Sequence, residues 1–155
     1  MNTVREIATQ TISRILGEAA FIFTDALADG AKPSDATWDA DGVSLQFFGS
    51  PGGELRMWVS KGFACYAAAN MLGIDGDSDD ARRKGTDALK ELLNMIVGNF
   101  ITAAYGDTPV FELGLPKNIP HDLMEKDFAS PDAVWLGAEG NPVLFILETD
   151  EAKKP

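Results

Sequence analysis

From about Asp79 to Tyr105, apolar residues recur every three or four positions: Leu89, Leu92, Leu93, Ile96, Val97, Phe100 and Ile101. That spacing predicts one amphipathic helix of about 27 residues, a rod of roughly 40 Å, with a single apolar stripe. Ser78 is placed to cap it, and Asp79 and Asp80 suit the positive end of its dipole. The stripe must be covered, so the remaining chain has to supply an apolar layer of matching length.

The flanking segments supply one. Residues 3–20 place Val4, Ile7, Ala8, Thr11, Ile12, Ile15, Leu16 and Ala19 at helical spacing. A loop follows, with Gly30, Pro33 and the acids Asp39 and Asp41 as breakers. Val43 to Phe48 and Glu54 to Val59 read as strands of a hairpin joined by Gly49-Ser50-Pro51-Gly52-Gly53. Residues 62–72, rich in alanine, predict a tightly packed helix closed by Gly73. After Gly106 the runs Pro109 to Leu115, Ala133 to Leu136 and Pro142 to Glu148 read as strands. The linker between the first two carries Pro116, Pro120 and Pro131, and Gly140-Asn141 suggests a hairpin turn. The tail from Glu151 to Pro155 reads as frayed. The expected order is α-β-β-α-α-β-β-β, an α+β fold with helices packed on an antiparallel or mixed sheet.

At 155 residues the chain fits one domain, residues 1–155. Its 24 acidic against 13 basic residues give a formal charge of −11, a poor match for nucleic acid or an anionic membrane. The single cysteine, Cys65, and single histidine, His121, leave no internal disulfide and no Cys- or His-rich metal centre. With no membrane-length apolar run and no leader pattern, the expected location is the cytoplasm.

The long helix also carries the candidate site. Asp87, Glu91, Asn94 and Gly98 lie at i, i+4, i+7 and i+11, on the face opposite the leucines. Glu91 and Asn94 are i, i+3 neighbours and can address one target together. Asparagine inside a helix costs roughly 0.5 kcal/mol relative to alanine, and glycine about 1 kcal/mol. Both within one exposed stripe point to a used surface, with Gly98 allowing close approach by another group. A solvated face with an incidental asparagine is the reading that spacing alone leaves open.

These residues give the sequence its resemblance to the CheC/CheX/FliY group of chemotaxis phosphatases. The group's signature is an Asp or Ser, then ExxN, then a glycine four residues on. Asp87, Glu91-Leu-Leu-Asn94 and Gly98 fit it, and Gly98-Asn99 is similar to the CheX form. Gly53 to Val59 and the alanine-rich Ala64 to Gly73 resemble the family's preceding strand and helix. Phe111-Glu-Leu-Gly-Leu-Pro116 resembles the strand that follows, so the likeness covers about residues 42–120. The resemblance implies a CheC-like fold and a phosphorylated CheY-like response-regulator receiver as substrate. It implies that Glu91 pairs with the receiver's active-site lysine and that Asn94 orients a water for attack on the aspartyl phosphate. Asp87 and Gly98 would belong to the docking surface. Mg²⁺ is expected in the receiver, with no cofactor or metal of the chain's own.

The first helix echoes the spacing with Gln10, Ser13 and Gly17, but lacks the ExxN pair. That is the one-site CheX pattern, which also implies a homodimer joined through sheet edges. The alternatives are a non-catalytic module docking on a receiver or flagellar switch component, and a structural dimerisation domain should the stripe be buried. Other signals have plainer explanations. Asp75, Asp77 and Asp79 begin like a calcium loop, but Asp80 and Thr86 stand where glycine and glutamate are needed. Gly49 to Gly53 lacks the lysine of a phosphate loop. Cys65 is expected in the core, His121 in solvent, and Trp38, Trp58 and Trp135 in packing.

Overall fold

The computed structural model describes residues 3–26 and 40–150. Trp38, the loop breakers Gly30, Pro33 and Asp39, and the tail from Glu151 lie outside the described residues.

Helix boundaries follow the chemistry of their ends. Helix α1 (Val4–Ala20) begins at Thr3, whose hydroxyl accepts from the Glu6 amide while the Glu6 carboxylate accepts from the Thr3 amide. Helix α2 (Lys61–Leu72) is capped by Ser60 and closed by Gly73 in the left-handed region. Helix α3 (Asp79–Tyr105) starts at Ser78, whose Oγ accepts from the Ala81 amide at 3.1 Å. Asp79 and Asp80, read as dipole-favoured acids, also pair with Arg82 and Arg83 one turn on. All three helices run as the sequence predicts.

The sheet departs further from expectation. Among the described residues it has seven strands: β1 (Thr24–Ala26), β2 (Ala40–Phe48), β3 (Gly53–Ser60), β4 (Glu112–Leu113), β5 (Lys117–Asn118), β6 (Val134–Ala138) and β7 (Asn141–Thr149). Their order is β1-β6-β7-β3-β2-β4, with β5 also on β2, and every pairing is antiparallel. Strand β1 is an addition that three residues of sequence did not announce. The run Pro109 to Leu115 pairs as a strand only at Glu112–Leu113; the Gly114 amide still donates to the Gln46 carbonyl at 2.7 Å, and the chain rejoins β2 at Lys117–Asn118. The proline-rich linker holds a 3₁₀ turn (His121–Leu123) and the short helix α4 (Met124–Phe128). The last hairpin turns at Glu139-Gly140, both at positive φ, one residue earlier than expected.

Period-two alternation gives the sheet two different faces. Leu55, Met57 and Val59 of β3, with Val43, Leu45 and Phe47 of β2, join Phe145 of β7 in the main core against α1, α2 and α3. The opposite face carries a smaller cluster of Ala40, Trp58, Met124 and Leu144, flanked by Phe128 and Trp135 and covered by the α4 segment. Gly42 lies across from Trp58, and a Cβ there would fall 2.6 Å from the indole ring. On that face Asp127, only 3% exposed, accepts from Arg56 Nε and Nη2 at 3.0 Å each and from Trp58 Nε1 at 2.8 Å. Glu54 and Glu148 pair with the same guanidinium. Burial pulls the Arg56 pKa down, but the bonds to Asp127, Glu148 and Glu54 outweigh it and raise the pKa above the ordinary arginine value.

Candidate functional site

Helix α3 lies on the sheet because its apolar stripe leaves no other stable position. Leu89, Leu92, Leu93, Ile96, Val97, Phe100 and Ile101 are all buried. Burial of each large side chain contributes about 1.5–3 kcal/mol, so the rotation of the rod about its axis is strongly fixed. That rotation turns Asp87, Glu91 and Asn94 to solvent. Among the described residues, none of the three side chains is engaged in a hydrogen bond or ion pair within the chain. A carboxylate and a carboxamide one turn apart are therefore uncommitted on an exposed, rigid helix. This pair can receive a cation and orient a small polar molecule at the same time.

Gly98 lies half-buried at the C-terminal end of the same face. The nearest atom to a Cβ built there is Leu113 Cδ1 at 4.0 Å, an ordinary contact. The protomer's own packing therefore does not require glycine at this position. Gly85 differs: its added Cβ would sit 3.2 Å from Ala64 Cβ and 3.3 Å from the Ala64 carbonyl carbon, where α2 crosses α3. Gly85 carries no sequence signal of this role, since no pattern in one helix reveals what crosses it.

Asn99, the residue after Gly98, faces the other way. Its Nδ2 donates to the Met95 carbonyl at 2.8 Å and its Oδ1 accepts from Arg14 Nη2 of α1 at 3.1 Å. Arg14 also donates to Glu18 at 3.2 Å. Of the echo residues on α1, Gln10 is exposed and Ser13 is half-buried, with its Oγ accepting from Thr24 at 2.7 Å. Ser13 is thus committed to holding the segment after α1.

A shallow groove of about 260 Å³ continues the site beyond Gly98, between the end of α3 and β4. The strand pattern of Pro109 to Leu115 does not show which of its side chains stay outside, and here Val110 is 86% and Leu113 39% exposed. Phe111 alone turns inward, stacked on Tyr105 at 5.5 Å between ring centres. His121 is exposed, and Trp58 and Trp135 pack on the second face of the sheet. Cys65 is half-buried rather than in the core, because it lies at the edge of the buried face of α2. Asp75 accepts from the Asp77 amide in the turn before α3. No group of three or more candidate metal ligands exists among the described residues, and no helix there is long and apolar enough to cross a membrane.

Comparison with known proteins agrees with this fold. The family described as "Chemotaxis phosphatase CheX" matches residues 42–134, the stretch that contains Asp87, Glu91, Asn94 and Gly98. A chain from the CheX–CheY–BeF₃–Mg²⁺ complex of Borrelia burgdorferi superposes with a TM-score of 0.67 at 18% identity, covering 95% of this chain and 97% of that one. CheX of Desulfovibrio desulfuricans gives 0.64 at 19% identity over 94% and 99% of the two chains. FliY of Thermotoga maritima gives 0.57 at 15% identity over 92% and 85%. At such identities the likeness is one of fold. No curated protein matches the sequence. The α+β architecture, the long helix and the matched stretch lead to one assignment: the chain belongs to the CheX family of chemotaxis phosphatases.

Proposed function

We propose that this protein accelerates dephosphorylation of a phospho-aspartyl receiver domain of the CheY type. The observation that carries the reading is the pair Glu91 and Asn94, exposed and uncommitted on one face of α3 within the family's matched stretch. A CheX–CheY complex among the similar structures supports the class of partner. An aspartyl phosphate is already reactive, and the receiver brings its own Mg²⁺, so the task left is to position a nucleophile. The Asn94 carboxamide suits that task, since it donates and accepts without repelling the phosphoryl oxygens. Glu91 anchors the complex by pairing with the receiver's active-site lysine, and Asp87 and Gly98 complete the docking face. The chain supplies no cofactor, so dependence on Mg²⁺ follows the receiver. The protein acts as a homodimer in the cytoplasm, where phosphorylated receivers reside.

The test is decay of a phosphorylated CheY-type receiver, labelled with radioactive acetyl phosphate, with and without the protein. Acceleration that disappears in Asn94→Ala supports the enzyme. Unchanged decay at stoichiometric protein, or full turnover by Asn94→Ala, replaces it with a non-catalytic docking module.

A further inference from the structure

We infer that the groove between α3 and β4 is a second contact for the receiver, taking one apolar side chain presented beside basic residues near the receiver's active site. The inference rests on the function proposed above and names a part of the interface that the ExxN signature does not contain. Its walls are Gly98, Ile101 and Thr102 of α3 and Phe111 and Leu113 of the β4 segment, with Asp107 at its end. Gly98 belongs both to this groove and to the face that carries Asn94, one helical turn away.

Two features select the occupant. Exposed apolar side chains line and flank the opening, with Leu113 39% and Val110 86% exposed, which favours an apolar insert. Asp107 is the one charged residue that lines the groove, exposed Glu112 lies on β4 between the lining residues Phe111 and Leu113, and Glu91 and Asp87 lie farther along the helix. No lysine or arginine lines the groove. A partner surface that places cations around one apolar anchor complements this arrangement, and the lysine expected opposite Glu91 lies on the same side. A volume of about 260 Å³ accommodates one aromatic or branched side chain and is too small for a peptide segment.

The experiment measures decay of the receiver that this protein accelerates most, across a range of protein concentrations. Thr102→Trp fills the groove from an exposed helix position, and Asp107→Lys reverses the charge at its end. Ala103→Trp, at an exposed α3 position that does not line the groove, serves as the control. Both disruptive variants should raise the half-saturating concentration roughly ten-fold, with maximal turnover within about two-fold of the parent, because they remove binding rather than chemistry. Ala103→Trp should stay within about two-fold on both. Asp107→Lys should also flatten the dependence of half-saturation on ionic strength. Asn94→Ala, measured alongside, separates the two claims. If it loses turnover while the groove variants leave half-saturation unchanged, the groove is overturned and the enzyme stands. If Asn94→Ala keeps turnover, the parent reading falls and the groove with it. Should the groove variants alter sedimentation without moving half-saturation, a second copy occupies it and the proposal is wrong. Asp107 lies past the helix end, so its variant remains decisive even if Thr102→Trp fails to fold.

Discussion

Asn94 and Glu91 occupy neighbouring positions and face the same partner, yet the chemistry assigns them separable tasks. A water-orienting amide acts mainly in the transition state, so Asn94→Ala should lose on the order of a hundred-fold in maximal decay rate while half-saturation moves little. Asn94→Asp keeps the shape but adds negative charge beside the phosphoryl oxygens and should be no better. Glu91→Gln removes one member of an ion pair that is desolvated on docking, which costs about 2 kcal/mol, or roughly thirty-fold in half-saturation. Titrating each variant against one phosphorylated receiver distinguishes these outcomes. Asp127 is the residue whose loss should be felt in stability instead. Removing it leaves the Arg56 guanidinium and the Trp58 indole short of their main acceptor in a nearly closed site. Asp127→Ala should therefore destabilise by about 3–5 kcal/mol in urea unfolding, with receiver decay per folded molecule unaffected. Nothing in the sequence marked Arg56 and Asp127 as partners, since 71 positions separate them.

At the scale of elements, two glycines in one helix should respond oppositely to the same change. Gly98→Ala meets only an ordinary contact with Leu113, so the helix should gain up to about 1 kcal/mol in propensity. Because the new methyl stands on the docking face, half-saturation for the receiver should rise at the same time. Gly85 faces the backbone of Ala64, which cannot move aside as a flexible side chain can. Gly85→Val should lose about 1–3 kcal/mol by overpacking the α2–α3 crossing. Thermal unfolding combined with receiver titration checks both. If Gly98→Ala proves destabilising, α3 is held more tightly at that turn than the geometry indicates. The α4 segment illustrates the same dependence on neighbours. Helix α4 is only five residues long, too short to persist alone, and it forms because Met124 and Asp127 are buried against the second face of the sheet.

For the whole molecule, association depends on the edges of the sheet. The sheet ends in short strands, β1 on one side and β4 and β5 on the other, an arrangement that blunts edges against indiscriminate pairing. Strand β1 pairs only with β6 among the described residues, and Phe21 and Phe23, at 64% and 76% exposed, precede it. The homodimer we propose should use this end, which leaves the α3–β4 side free for receivers. Sedimentation equilibrium should then give a dimer at micromolar concentration, and Phe23→Asp should shift it toward monomer while decay by each protomer persists. A strictly monomeric parent protein refutes the dimer and leaves the site untouched.

What the sequence determined by itself is whatever depends on short spacing. The three long helices, their caps, the central hairpin and the shared face of Asp87, Glu91, Asn94 and Gly98 follow from periods of 3.6 and 2 and from local hydrogen bonds. Exposure of Glu91 and Asn94 followed as well, because one apolar stripe permits only one rotation of the rod. Tertiary structure alone decided what depends on distant chain segments meeting. It paired β1 with β6, shortened the Pro109–Leu115 run to a strand of two residues and joined Arg56 to Asp127. It also set Leu113 beside Gly98, opening a groove that the strand pattern alone does not reveal. Each of these is fixed by which surfaces remain to be covered after the long helices dock, and local spacing carries no record of that remainder.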